Sequence, residues 1–296
     1  MMEFIQLQKI LKQNIPKIVK IQALFRGHKA RKILKNQEIK QQLLFDDPGI
    51  EFKEEVVFEN GAVYRGQMLE NNRHGYGVQI WPDGAKYEGY WKENKAHGRG
   101  KFWHADGDVF DGEWRDDKAH GYGVYTHVNG AKYDGQWMND MQHGKGVETW
   151  ADGSKYDGQY YEGMKHGQGY YIWADGSEYK GDWFQNQIQG FGVYKWPDGR
   201  AYEGDWLANN MHGKGLYTWK DGRVYKGDYL NDKKHGMGTY TWTDGRRYVG
   251  QWENGKQNGE GKYLLPNGVE REGFWQDGKR ISWKDETKQP TPPKMK

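Results

Sequence analysis

The 296-residue chain contains no cysteine, which removes disulfide frameworks, thiolate metal sites and cysteine nucleophiles together. No apolar run approaches the roughly 20 residues that span a bilayer. The opening residues, MMEFIQLQKI, lack the apolar core of a signal peptide. These absences predict a soluble, cytosolic protein. Apolar side chains are also scarce: only 35% of the residues are AVILMFWYC and the mean hydropathy is −1.13. That is too little for a thick core in a chain of this length.

The apolar material present is mostly rings. Aromatics make up 16% of the chain, with 15 Trp and 21 Tyr, and they are set among 43 Gly. Such a composition suits a thin, turn-rich β architecture. Charge is unevenly spread. Residues 1–40 hold eight Lys and two Arg against Glu3 and Glu38, a balance of +8; since the whole chain is +3, residues 41–296 carry −5. A basic arm precedes an acidic body.

The body repeats every 23 residues. Tyr-x-Gly begins at Tyr64, Tyr87, Tyr133, Tyr156, Tyr179, Tyr202, Tyr225 and Tyr248, with Phe110 in the remaining slot. His-Gly-x-Gly recurs in phase from His74, His97, His120, His143, His166, His212 and His235, and Asp-Gly recurs from Asp83 to Asp244. A fixed period of this kind decides the fold before local propensity does.

Each unit reads as two strands. In Tyr87-Glu88-Gly89-Tyr90-Trp91 the alternation puts Tyr87, Gly89 and Trp91 on one face and Glu88 and Tyr90 on the other. Gly98-Arg99-Gly100-Lys101-Phe102 forms the second strand, and Trp81-Pro82-Asp83-Gly84 supplies the turn between units. Aromatic-Gly-aromatic leaves a gap over each Gly that a neighbouring ring can fill, so ring-on-glycine packing replaces an aliphatic core. The opposite face, with Asp134, Gln136, Asp182 and Asp205, reads as solvated. The expected fold is an all-β repeat array, an elongated, curved antiparallel meander roughly 90–100 Å long at ~4.8 Å per strand.

Tyr-x-Gly-x-Trp, His-Gly-x-Gly and Asp-Gly at this period resemble the MORN repeat, over residues 58–283: nine units and a terminal partial one. Arg271 replaces Tyr in the last unit, which reads as a cap, and residues 284–296, rich in proline, read as a disordered tail. The resemblance implies a scaffold of cilia and the cytoskeleton, such as a radial spoke head component, with axonemal partners. The family name also brings the alternative of a phosphoinositide-binding membrane tether.

Residues 1–48 read as a basic helical arm. Ile21, Gln22, Arg26, Gly27 and Arg31 match the IQ pattern Ile-Gln-x-x-x-Arg-Gly-x-x-x-Arg, and Phe25 joins Ile21 on the apolar side. The motif is similar to those that calmodulin or another EF-hand light chain grips, apolar face in a groove and basic residues on an acidic surface. Asn14 as cap and Pro16 in the first turn predict a helix running to about Leu44, roughly 40 Å long.

The periodic histidines do not have the convergent arrangement of metal ligands, being spaced one per repeat; a turn-ordering hydrogen bond is the expected role. Carboxylates recur at solvent-face and turn positions without singling out a pair, and no phosphate loop exists, so no catalysis and no cofactor are expected. An acidic array argues against nucleic acid. The aromatic rows are read as packing that can also hold a partner peptide, the candidate groove comprising Tyr87, Trp91, Trp114, Tyr133, Trp137, Tyr156, Tyr179, Trp183, Tyr202 and Trp206.

Overall fold

A computed structural model describes residues 49–285. The arm and most of the tail lie outside them. The described chain is an all-antiparallel meander of 21 strands, from β1 (Glu51–Val57) to β21 (Lys279–Trp283). By contacts it divides into two units, residues 49–105 with Trp114–Asp117, and residues Asp106–Glu113 with 118–285.

In the first unit Tyr64, Met68, Tyr87, Trp91 and Ala96 form the core, flanked by Val56, Phe58, Trp81, Phe102 and Trp114. Its first strand, β1, pairs with Val63–Leu69 and lies ahead of the array start expected at residue 58. β1 is almost wholly exposed and carries Glu51, Lys53, Glu54 and Glu55, charges that protect an open edge from pairing with other chains.

The second unit builds its core from the same ring positions, Tyr133 through Trp283. Residues 202–224 show the repeat. β14 (Ala201–Leu207) has the alternating burial that the pattern demands, Tyr202, Gly204 and Trp206 inward and Glu203, Asp205 and Leu207 outward. It pairs with β15 (Asn210–Thr218) through a two-residue turn, Ala208 and Asn209, both at positive φ, 48° and 67°. This is a type I′ geometry, whose twist matches the flanking strands. The expected Asp-Gly turn is present as well. Gly222 N donates to Trp219 O at 3.0 Å, and Arg223 N to Asp221 Oδ1 at 3.2 Å.

The His-Gly step is a β-bulge, as in the units of His74, His212 and His235. Gly204 pairs with Gly215 and Trp206 with Met211, so Asp205 alone faces His212, Gly213 and Lys214. Gly213 takes φ 60° there. The histidine does not make the expected turn-ordering bond through its buried nitrogen: Nδ1 of His120, His143, His166 and His212 has no hydrogen-bond partner among the described residues. The side chain opposite the bulge takes that role because it lies directly across the pair. Lys214 N donates to Asp205 Oδ2 at 2.8 Å, Phe191 N to Asp182 Oδ2 at 2.8 Å and Lys145 N to Gln136 Oε1 at 2.7 Å. Residues read as merely solvated therefore close the bulges.

Repeats are stapled to one another by their turns. Asn209 N donates to Ile188 O at 2.9 Å while Ile188 N donates to Asn209 Oδ1 at 2.8 Å. Asp232 and Met211 make the same reciprocal pair.

Candidate functional site

The inward face carries two aromatic rows. In the deeper row each Tyr lies across a glycine pair and caps a carbonyl: Tyr179 Oη donates to Asp182 O at 3.0 Å, Tyr202 to Asp205 O at 2.9 Å. From Tyr133 to Tyr248 each ring also meets two further rings, those in the Trp slot of its own unit and of the next, with Tyr160 and Tyr229 standing for Trp in two units. Tyr179 stands 5.4 Å from Trp183 and 5.7 Å from Trp206, both nearly perpendicular. Trp206 Nε1 donates to Gly192 O at 3.2 Å and Trp137 Nε1 to Gly123 O at 3.0 Å. Burial pushes the hydroxyls of Tyr179, Tyr202 and Tyr225 far above the ordinary tyrosine range.

The expected groove residues belong to this deep row. Tyr87, Trp91, Tyr133, Tyr156, Tyr179, Trp183, Tyr202 and Trp206 are buried, and Trp114 and Trp137 are half-buried. The array's own packing consumes most of their surface.

A second row, shallower and not singled out from sequence, consists of the second-strand tyrosines and the turn tryptophans. Its rings follow one another at centroid distances of 5.4 Å (Trp150–Tyr171), 4.5 Å (Tyr171–Trp173), 5.1 Å (Trp173–Tyr194), 4.6 Å (Tyr194–Trp196) and 5.4 Å (Trp196–Tyr217). The row continues through Trp219, Tyr240 and Trp242 to Tyr263. Most of these rings are only partly buried. The signal was available, because Tyr171, Tyr194, Tyr217, Tyr240 and Tyr263 also recur at 23 residues.

Cations brace this row. Arg200, Arg223 and Arg246 each follow a turn Gly and bind the Asp two residues earlier, at 2.7, 2.7 and 2.6 Å. They also donate to the hydroxyls of Tyr217, Tyr240 and Tyr263 at 3.0–3.2 Å and lie over Trp196, Trp219 and Trp242. Lys234 Nζ sits among Trp219, Tyr225, Tyr240 and Trp252, 4.9–5.2 Å from each centroid. Burial, reinforced by Arg223, draws its ammonium down to about 8.

Among the described residues no group of three His, Asp or Glu could hold a metal ion. The IQ residues Ile21, Gln22, Phe25, Arg26, Gly27 and Arg31 lie outside the described residues.

Fold and site together define a serial β-hairpin array stapled unit to unit through rings, glycines and turn side chains. The model of the MORN repeat matches nine times, over residues 64–86, 87–109, 110–132, 133–155, 156–178, 179–199, 202–222, 225–246 and 248–270. The chain belongs to the MORN-repeat family. The model of the IQ calmodulin-binding motif matches residues 16–35.

No curated protein matches the chain. Among solved structures it is similar to the TCP10 domain of Danio rerio CPAP in complex with a peptide of STIL. Identity is 12%, over 77% of this chain and 97% of that one, with a TM-score of 0.42. It is also similar to the SAS-4 (dCPAP) TCP domain of Drosophila melanogaster in complex with a proline-rich motif of Ana2, at 13% identity over 53% and 85%, TM-score 0.35. Likeness at this level carries neither fold nor function across.

Proposed function

We propose that the chain is a non-catalytic scaffold of the cytoskeleton, working in the ciliary axoneme. It holds protein partners along the repeats, and its N-terminal arm recruits calmodulin or another EF-hand light chain. The observation that carries this reading is the pairing of nine MORN repeats with an IQ motif in one chain. The shallow Tyr–Trp row supports it, since a partly open aromatic surface repeated at a fixed step suits an extended protein partner better than a single small ligand.

The test is a calmodulin pulldown of the full chain, with and without Ca²⁺, against an Ile21→Ala/Arg26→Ala variant. Binding that survives both substitutions unchanged sinks the calmodulin assignment. For the address, imaging of the tagged chain should show an axonemal pattern. A membrane pattern instead would favour the phosphoinositide tether, whose clustered positive charge is found in residues 1–40.

A further inference from the structure

One ring cage of the array has lost the cation that an equivalent cage holds. In the second unit Lys234 stands among Trp219, Tyr225, Tyr240 and Trp252. Six 23-residue steps earlier, within the first unit, Trp81, Tyr87, Phe102 and Trp114 occupy the same four places, and the place of the lysine is taken by Ala96. The rings keep their spacing without it. Trp81–Phe102, Phe102–Trp114 and Tyr87–Trp114 centroids are 5.6, 6.2 and 5.4 Å apart, against 5.5, 6.2 and 5.1 Å for the matching pairs around Lys234.

Burial follows the residue in this slot. Where it is Arg73, Lys165 or Lys234, the next unit's indole, Trp91, Trp183 or Trp252, is only 2–7% exposed. Where it is Ala96 or Ala119, Trp114 and Trp137 are half-buried. Phe102 is half-buried too, while its counterpart Tyr240 is buried. A long basic side chain covers ring surface with its stem and meets the ring face with its charge. An alanine can do neither.

Charge around the cage differs in the same sense. Arg223, whose charge opposes that of Lys234, has Ala85 as its counterpart. Asp117 stands in the turn beyond Ala96: its N donates to Ala96 O at 3.0 Å, and its Oδ1 accepts from Ala96 N at 2.7 Å. The residues that donate in this way to the carbonyls of Arg73, Lys165 and Lys234 are Asn94, Asn186 and Gly255, all uncharged. Arg73 also feels Asp117, but it is held in its own cage over Phe58 and Trp91, donating to Asn94 O at 2.6 Å.

We propose that the cage of Trp81, Tyr87, Phe102 and Trp114 over Ala96 binds an alkylammonium group, carried by a lysine or N-methylated lysine of a partner or by a free quaternary amine. The four rings surround the cation as their counterparts surround Lys234, and Asp117 supplies the opposite charge. The ligand completes from outside a packing that the second unit completes with its own side chain.

The site stands on this geometry and needs neither the calmodulin nor the axonemal assignment, so small probes test it by themselves. Three are titrated into the full chain and followed by saturation-transfer NMR: choline, its neutral carbon isostere with a tert-butyl group in place of trimethylammonium, and a blocked peptide with one trimethyllysine between glycines. Choline and the peptide should bind saturably, and the isostere at least about ten-fold more weakly. Tighter binding of the peptide assigns the cage to a partner's side chain; tighter binding of choline assigns it to a free amine. Ala96→Lys copies Lys234 and Ala96→Met copies Met211, residues that equivalent cages already accommodate. Each should weaken choline binding at least about ten-fold, with thermal melts confirming the fold. No saturable binding of either cation by wild type, an isostere that binds as well as choline, or choline binding unmoved in a variant that melts like wild type would overturn the proposal.

Discussion

The Tyr179 ring lies flat against Gly192 of the paired strand, so close that any Cβ on Gly192 would overlap the ring and its hydroxyl. The hydroxyl is already committed to Asp182 O at 3.0 Å. Gly192→Ala should therefore force the ring off its site and cost about 1–3 kcal/mol, as overpacking of a filled core does. Urea denaturation followed by Trp fluorescence measures this. A loss below a few tenths of a kcal/mol would show that the ring can move aside.

Trp206 and Trp183 fill equivalent slots, yet Trp206 Nε1 donates to Gly192 O at 3.2 Å while Trp183 Nε1 is buried without a hydrogen-bond partner. Phe at position 206 loses a hydrogen bond as well as ring area; Phe at 183 loses area and frees an unsatisfied donor. Trp206→Phe should destabilise more than Trp183→Phe by roughly 1 kcal/mol. Equal losses in chemical denaturation would contradict the bonding pattern.

Ala208 sits at φ 48° in a type I′ turn with no polar side chain to ease the left-handed conformation. Ala208→Asn, which installs a residue that this turn favours, should raise stability by about 0.5–1 kcal/mol. Asn209→Ala should lower it, since Asn209 Oδ1 holds Ile188 N at 2.8 Å and its own φ is 67°. Thermal melts of the two variants should shift in opposite directions.

Lys234 predicts a pH response. Its folded-state pKa is drawn down from 10.5 to about 8, so between these values the unfolded chain binds more protons than the folded one. Stability attributable to this group rises as pH rises through that window and is constant below it. Removing the lysine removes the rise. Between pH 7 and 9.5, short of the range where tyrosines begin to ionise in the unfolded chain, wild type should gain stability relative to Lys234→Met. A parallel pH dependence in the two proteins would show that the ammonium is not penalised inside its four rings.

The hairpin array was legible because an aromatic-x-Gly step writes both the strand alternation and the filled glycine gap into a few residues and recurs nine times at 23 residues, five times in the full Tyr-x-Gly-x-Trp form. Two features were not. The Glu93-Asn94 and Ala208-Asn209 turns carry no Gly, and only the left-handed tolerance of the Asn hints at them. The role of Asp205 at the bulge depends on which residue lies across the strand pair.

Periodicity alone dictates the strands, their inward rings and the number of repeats, because strand alternation has a period of two and any other register would bury Glu203 and expose Trp206. Pairing across strands decides the rest. It consumes the deep Tyr and Trp row in packing, leaves the Trp150–Tyr263 row partly open, and brings Met138, Tyr161, Phe184, Leu207 and Leu230 into one outward line. Residues 23 apart become neighbours only after two strands and two turns return the chain to the same place, and no local preference encodes that return.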